Sequence, residues 1–436
     1  MTPRALILGL GLLAATLHAQ EIDTARALTA LREAQLACTI DSAKLWHKSL
    51  CGPIALADRQ TRLVIANDTV SGRHYLRLSD GFVLVLPATQ FIANTSFRWG
   101  DRDWTLVALP LPADLYQRIS LLMHEVFHRE QGALGLRAVD ELNNHLDFRE
   151  GREWLRLEYR ALAAALQASD SKTLASHAKD ALLFRAMRRS LYPGSDSLET
   201  ALEIQEGLPE YTGQHLALEL TGEGRNRVAR YVLDYEKNTP SFVRAFAYGT
   251  GPALGVLLDT LDRSWRDDVR TTRDLSALLA RALKYQPPKN LAAAARRAAP
   301  QYGWHDIERE EAARDSTRAP LLHEYRARLA DGPSLLLRQS KDSLSWGYDP
   351  TTMIAFDLRT TIYPWGTFSA PWGKLEVEKN GVLVANDFST IRVGLREPPD
   401  KTDRITGDGW TLTLSPGWTV RPDSAKPGSF VVTKGE

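Results

Sequence analysis

Residues 121–130 read LLMHEVFHRE, and this stretch decides what the rest of the chain must build around it. Upstream, Leu115, Ile119, Leu122 and Val126 recur at helical spacing. Asp114 is a helix-capping residue and Gly132 a helix stop. The segment therefore predicts a helix with one apolar face. Side chains four apart project from one side of a helix, so His124 and His128 can both reach one metal ion. Zinc suits the pair, because it accepts neutral imidazole nitrogen and, in a catalytic site, keeps one position open for water. Glu125 then lies beside the metal, where it can take a proton from that water. A packed or surface helix with two incidental histidines would need no third ligand, so the third ligand decides. His323-Glu324 supplies the contrast within the chain: it opens alike but has no second histidine at the right spacing.

Downstream, residues 198–213 read LETALEIQEGLPEYTG. Glu203, Glu206 and Glu210 fall at i, i+3 and i+7 and share one face if the segment is a regular helix. Alone, an acidic stripe is commonly a solvated face. Opposite an HExxH helix it becomes a candidate metal face, with Glu206 as third ligand. Glu210, one turn later, can hold an imidazole N–H. His145 and Asp147, in the loop-like NNHLD of residues 143–147, stay open as alternative ligands.

These motifs resemble the gluzincin metallopeptidases, in which a second helix supplies a glutamate ligand. Glu206-Gly207-Leu208-Pro209-Glu210-Tyr211 is similar to the ligand segment of the aminopeptidase N and leukotriene hydrolase group. The acidic residue four positions after the ligand resembles the thermolysin arrangement, with Glu here in place of Asp. Tyr248-Gly249-Thr250-Gly251 opens the apolar run PALGVLLDTL and resembles the Tyr-x-x-Gly of the aminopeptidase group. That likeness implies that the Tyr248 hydroxyl stabilises the oxyanion of a tetrahedral intermediate. The resemblance covers about Asp103 to Leu258 and implies a zinc metallopeptidase acting on peptide or protein substrates, with Glu125 as general base and then acid. The chain also departs from it. The stretch from His128 to Glu206 is far longer than in the aminopeptidase N relatives, and their Gly-x-Met-Glu-Asn anchor for a free amino terminus is absent, so aminopeptidase activity is not implied. Two other readings remain: a zinc hydrolase of non-peptide amides or esters, and a zinc-binding scaffold without catalysis. Glu125 argues against the scaffold, since metal binding does not require it.

Around this core the fold class reads as α+β. Met1 to Ala19 carries Arg4, an apolar run from Ala5 to Leu17 and then small residues, the layout of a secretory signal peptide over residues 1–19, with an uncleaved anchor as the alternative. No later run is long and apolar enough to span a bilayer, so the expectation is an exported chain, periplasmic or extracellular, without stable membrane insertion after cleavage. Cys38 and Cys51, the only cysteines, can bridge in an oxidising compartment or stay free. Net charge is +1 and no basic run stands out, which makes nucleic acid and anionic membranes poor partners.

Residues 20–112 read as mainly β after a helix at Ala25 to Gln35, with strands at Pro53 to Ala57, Arg62 to Ala66, His74 to Leu78 and Phe82 to Leu86. Ser96 to Trp99 and Trp104 to Leu109 form an expected hairpin directly before the metal helix. It is either a plain structural hairpin or the sheet edge along which a substrate adds as a strand. Residues 113–332 read as mainly helical, completing a metallopeptidase domain over 20–332. Within them Arg244 either faces the site or is solvated. Residues 333–436 read as a small all-β domain, separate from the site, with a hairpin of Leu375 to Glu378 and Val382 to Ala385 about Asn380-Gly381. Trp346, Trp365, Trp372, Trp410 and Trp418 fall there, either filling its core or forming an aromatic binding face.

Overall fold

A computed structural model describes residues 23–139, 142–349, 352–399 and 402–435. The signal-peptide expectation for residues 1–19 lies outside them. The first helix, α1 (Thr24–Asp41), is capped by the Asp23 side chain. Its Cys38 is bonded to Cys51 across a Cα–Cα distance of 5.3 Å, which ties α1 to the entry of the first strand.

The strands β1 (Ile54–Ala57), β2 (Leu63–Ala66), β3 (Leu76–Arg77), β4 (Phe82–Val85), β5 (Thr95–Trp99) and β6 (Arg102–Ala108) form one sheet in the order β3-β4-β2-β1-β6-β5. β1 and β6 run parallel, and the other pairs are antiparallel. The central strands are apolar at every position because both faces are covered. Ile54, Leu56, Ile65 and Val107 join the large helical core, while Ala55, Val64, Trp104 and Leu106 form a smaller cluster on the far side. The expected strand at His74 to Leu78 shrinks to two exposed residues at the sheet edge, where one flank lacks a neighbour. The hairpin before the metal helix forms as expected, with β5 at the opposite edge.

The chain then turns helical. The metal helix α2 (Leu115–Gln131) starts at the Asp114 cap, whose side chain accepts from the Gln117 amide, and ends at Gly132. α3 (Arg149–Gln167), α4 (Ser171–Leu191) and α5 (Ser195–Leu202) follow, and a π turn over Glu203–Gly207 leads into α6 (Leu208–Thr221). α7 (Asn226–Asn238) and α8 (Phe246–Leu261) close the site. Shorter helices and α12 (Trp304–Tyr325), preceded by α9 (Trp265–Thr272), α10 (Leu275–Ala282) and α11 (Leu291–Ala298), complete the region. Two glycines set its close approaches. A Cβ on Gly213 would stand 2.2 Å from the Ser120 carbonyl oxygen, so α6 lies directly against α2. A Cβ on Gly251 would stand 2.3 Å from Gly207 Cα, so α8 lies directly against the π turn.

The C-terminal strands build two sheets. One has the order β17-β18-β7-β14-β13-β10-β9 and the other β15-β16-β12-β11-β8. Their strands are β7 (Ser334–Arg338), β8 (Ser345–Gly347), β9 (Ile354–Ala355), β10 (Thr360–Tyr363), β11 (Gly366–Ala370), β12 (Gly373–Val377), β13 (Val382–Ala385), β14 (Thr390–Gly394), β15 (Arg404–Gly407), β16 (Trp410–Leu414), β17 (Trp418–Pro422) and β18 (Phe430–Lys434). The sheets share one core, with Leu335, Val384 and Ile391 from the first meeting Phe368, Leu375 and Leu412 from the second. This is a β-sandwich. Trp372 and Trp410 fill its core, while Trp346 and Trp365 are exposed.

The expected hairpin at Asn380-Gly381 is not one. Both residues do adopt positive φ, 66° and 72°, but β12 pairs with β11 and β16 whereas β13 pairs with β10 and β14. The turn carries the chain from one sheet to the other. Nor is the sandwich loosely attached. Its core takes in Leu142 and Val243 from the helical region. The buried Asn144 amide donates to Asp357 O at 2.8 Å, Thr360 O at 3.0 Å and Thr361 Oγ1 at 3.0 Å.

Candidate metal centre

The metal helix presents His124 and His128 on its buried side, as their spacing requires. Opposite them, the π turn and the start of α6 present Glu206 and Glu210. His124 Nε2 lies 3.1 Å from His128 Nε2 and 3.7 Å from Glu206 Oε2, and His128 Nε2 lies 3.4 Å from the same oxygen. Three ligand atoms around a tetrahedral zinc, each about 2.0–2.1 Å from it, would stand about 3.3–3.4 Å apart. The triangle fits that face, and the three residues can hold a metal ion.

The remaining donors are arranged to support it. Glu210 Oε2 lies 2.9 Å from His124 Nδ1, so the imidazole turns Nε2 toward the metal position. Gln214 holds the other Glu210 oxygen at 2.9 Å and is itself held by the Tyr116 hydroxyl. On the second histidine, Nδ1 faces Gln131 Oε1 at 3.0 Å. Glu125 stands beside the triangle, its Oε1 4.0 Å from His124 Nε2, and its buried Oε2 has no hydrogen-bond partner among the described residues. A carboxylate oxygen buried without a partner is costly in a finished core and is what a reacting water or substrate would occupy.

Electrostatics agree with a cation at this position. Glu125, Glu206 and Glu210 surround only two imidazoles. Burial alone would lower the His124 pKa, but the Glu206 and Glu210 carboxylates beside it outweigh that and push it up to about 10. Burial works to raise Glu206, yet His124 and His128 hold it well below the usual carboxylate range. Glu125 is raised, chiefly by burial.

Tyr248, at the start of α8, stacks on the His124 ring with centroids 5.5 Å apart and planes 9° apart. Its hydroxyl donates to Glu206 Oε2 at 2.7 Å. Tyr248 and Glu206 also line a cleft of about 350 Å³ that runs past Tyr235, Thr239 and Ser241 to Arg244. Arg244 therefore faces the site's cleft, and its guanidinium reaches Tyr348 Oη of the β-sandwich at 2.6 Å.

Three sequence expectations change. Glu203 does not share a face with Glu206: the π turn inserts an extra residue per turn and rotates it away. It instead takes a bidentate bond from Arg185, at 2.6 and 2.8 Å, and a bond from Thr250 Oγ1 at 2.6 Å. His145 is not a ligand; its Nε2 lies 2.9 Å from Glu199 in the buried network with Arg188. Asp147 is held by Arg314 and Arg318 and by the Ala355 amide at the sandwich interface. Sequence reading missed Gln131 and Gln214. Both carried a local signal, since each follows its partner, His128 or Glu210, by about one helical turn.

No family model, curated protein or solved structure matches the chain.

Proposed function

We propose that this chain is an exported zinc metallopeptidase of gluzincin type. One observation carries the reading: His124, His128 and Glu206 converge with separations of 3.1–3.7 Å beside a buried Glu125 oxygen that has no partner among the described residues. Two imidazoles and one carboxylate are a catalytic zinc donor set. Zinc, when bound, supplies Lewis acidity, polarising a carbonyl and making a coordinated water more acidic. The chain's own residues do the rest. Glu210 and Gln131 orient the two imidazoles. Glu125 takes a proton from the attacking water and delivers it to the leaving amine nitrogen. Tyr248 offers a hydroxyl beside the reacting carbonyl oxygen, free to donate once it turns from Glu206.

Two further features support the reading. β5 is a sheet edge whose only strand partner among the described residues is β6, so an extended peptide can add along it. The 1–19 segment and the Cys38–Cys51 bond suit an oxidising compartment outside the cytoplasm, and no described helix is long and apolar enough to cross a membrane.

The test is cleavage of an unbiased peptide library by zinc-loaded wild type and Glu125→Gln. The variant is expected to keep its zinc and lose about a hundredfold to ten-thousandfold in rate. Equal rates would reject the mechanism. Bound zinc with no cleavage by either form would favour the scaffold.

A further inference from the structure

Gln131 is buried in the last turn of the metal helix, and its amide spans two elements. Nε2 donates to Ile204 O at 2.8 Å, Leu136 O at 3.1 Å and Gln205 O at 3.3 Å. Oε1 faces His128 Nδ1 at 3.0 Å. Backbone carbonyls only accept, so the amide nitrogen must face them and the oxygen must face the imidazole. That oxygen also only accepts, so Nδ1 is the protonated nitrogen of His128 and Nε2 keeps its lone pair for a metal. The same NH₂ group grips the π turn at the two residues directly before Glu206.

We propose that Gln131 is a positioning residue that couples two metal ligands from different elements. By one amide it selects the metal-binding tautomer of His128 and holds the π turn at the register that places Glu206 3.4 Å from His128 Nε2. This inference rests on the reading of His124, His128 and Glu206 as a metal centre. The two imidazoles are held differently. A carboxylate holds His124, and a neutral amide, itself fastened to the segment bearing the third ligand, holds His128. A π turn departs from regular helical hydrogen bonding, so an outside donor to its carbonyls has a direct effect on its position.

The experiment uses the full chain and four readouts. In metal-free wild type, at a pH where His128 is neutral, nitrogen NMR of labelled histidine is expected to show His128 protonated at Nδ1. Protonation at Nε2 overturns the proposal. In Gln131→Leu, zinc affinity by chelator competition is expected to fall about 10- to 100-fold, and the cobalt(II) spectrum is expected to change. Gln131→Glu keeps an acceptor for His128 but offers the carbonyls no donor, so it is expected to recover only part of the affinity. A purely structural role would lower the melting temperature while leaving zinc affinity and the cobalt spectrum at wild-type values, and that result in either folded variant overturns the coupling. If Gln131→Leu does not fold, Gln131→Glu and the wild-type tautomer decide. A wild type that binds no zinc overturns the metal reading and this inference together. A wild type that binds zinc beside an unaffected Gln131→Leu overturns this inference alone.

Discussion

The Tyr248 hydroxyl touches Glu206, while its ring lies flat on His124, so one side chain meets two of the three metal-facing residues. Tyr248→Phe keeps the ring and removes only the hydroxyl. A hydrogen bond to a charged group contributes about 1.5–3 kcal/mol, so kcat is expected to fall roughly ten- to hundredfold, with KM changed less and zinc retained. Steady-state kinetics with a cleaved library peptide checks this. Loss of zinc from Tyr248→Phe would instead make the hydroxyl a holder of Glu206. His124, Glu125, His128, Glu206 and Glu210 were legible in the sequence because each belongs to a short motif whose spacing follows from one helical period. Gln214 was not, because a glutamine one turn after an acidic residue is ordinary on any helix, and its second partner, Tyr116, comes from α2.

At the scale of elements, the π turn is the feature that periodicity could not show. An acidic stripe at i, i+3 and i+7 implies one face only while the helix stays regular. The extra residue per turn sends Glu203 into a buried network with Arg185, and Arg185 also reaches Glu158 at 2.7 Å. Through Thr250 that network also touches the helix bearing Tyr248. Glu203→Ala would leave the Arg185 guanidinium buried without its bidentate partner. Removing one member of such a pair costs about 3–5 kcal/mol, and urea unfolding should show a loss of that size. Glu150→Ala, at an exposed position, should cost within about 0.5 kcal/mol. Equal effects at the two positions would remove the network from the account. The start of the metal helix, by contrast, was legible because the Asp114 cap acts locally, whereas the chain turns left-handed after it at Gly135 and not at Gly132.

Over the whole molecule, the change of texture near residue 332 correctly announced an all-β segment but not its attachment. Asn-Gly specifies the dihedrals of a turn and not which strands pair across it, so the switch between sheets was hidden. The interface was hidden too, because Asn144 and Asp147 look like loop polar residues until their partners are known. Asn144→Ala would leave the Asp357 carbonyl without its Asn144 donor and take from Thr361 Oγ1 its amide partner, which should cost about 1–3 kcal/mol, read as a lowered urea midpoint with unchanged zinc content. No change in the midpoint would mean that the sandwich docks without it. The account stands most directly on the metal itself, and the decisive measurement is zinc per chain in the dialysed protein, wild type against Glu206→Ala. The expected result is about one zinc per wild-type chain, since three protein ligands leave one open position, and substoichiometric, weakly held zinc in the variant. A wild type that retains no zinc, or a folded variant that holds it as fully and as tightly as wild type, would contradict the account.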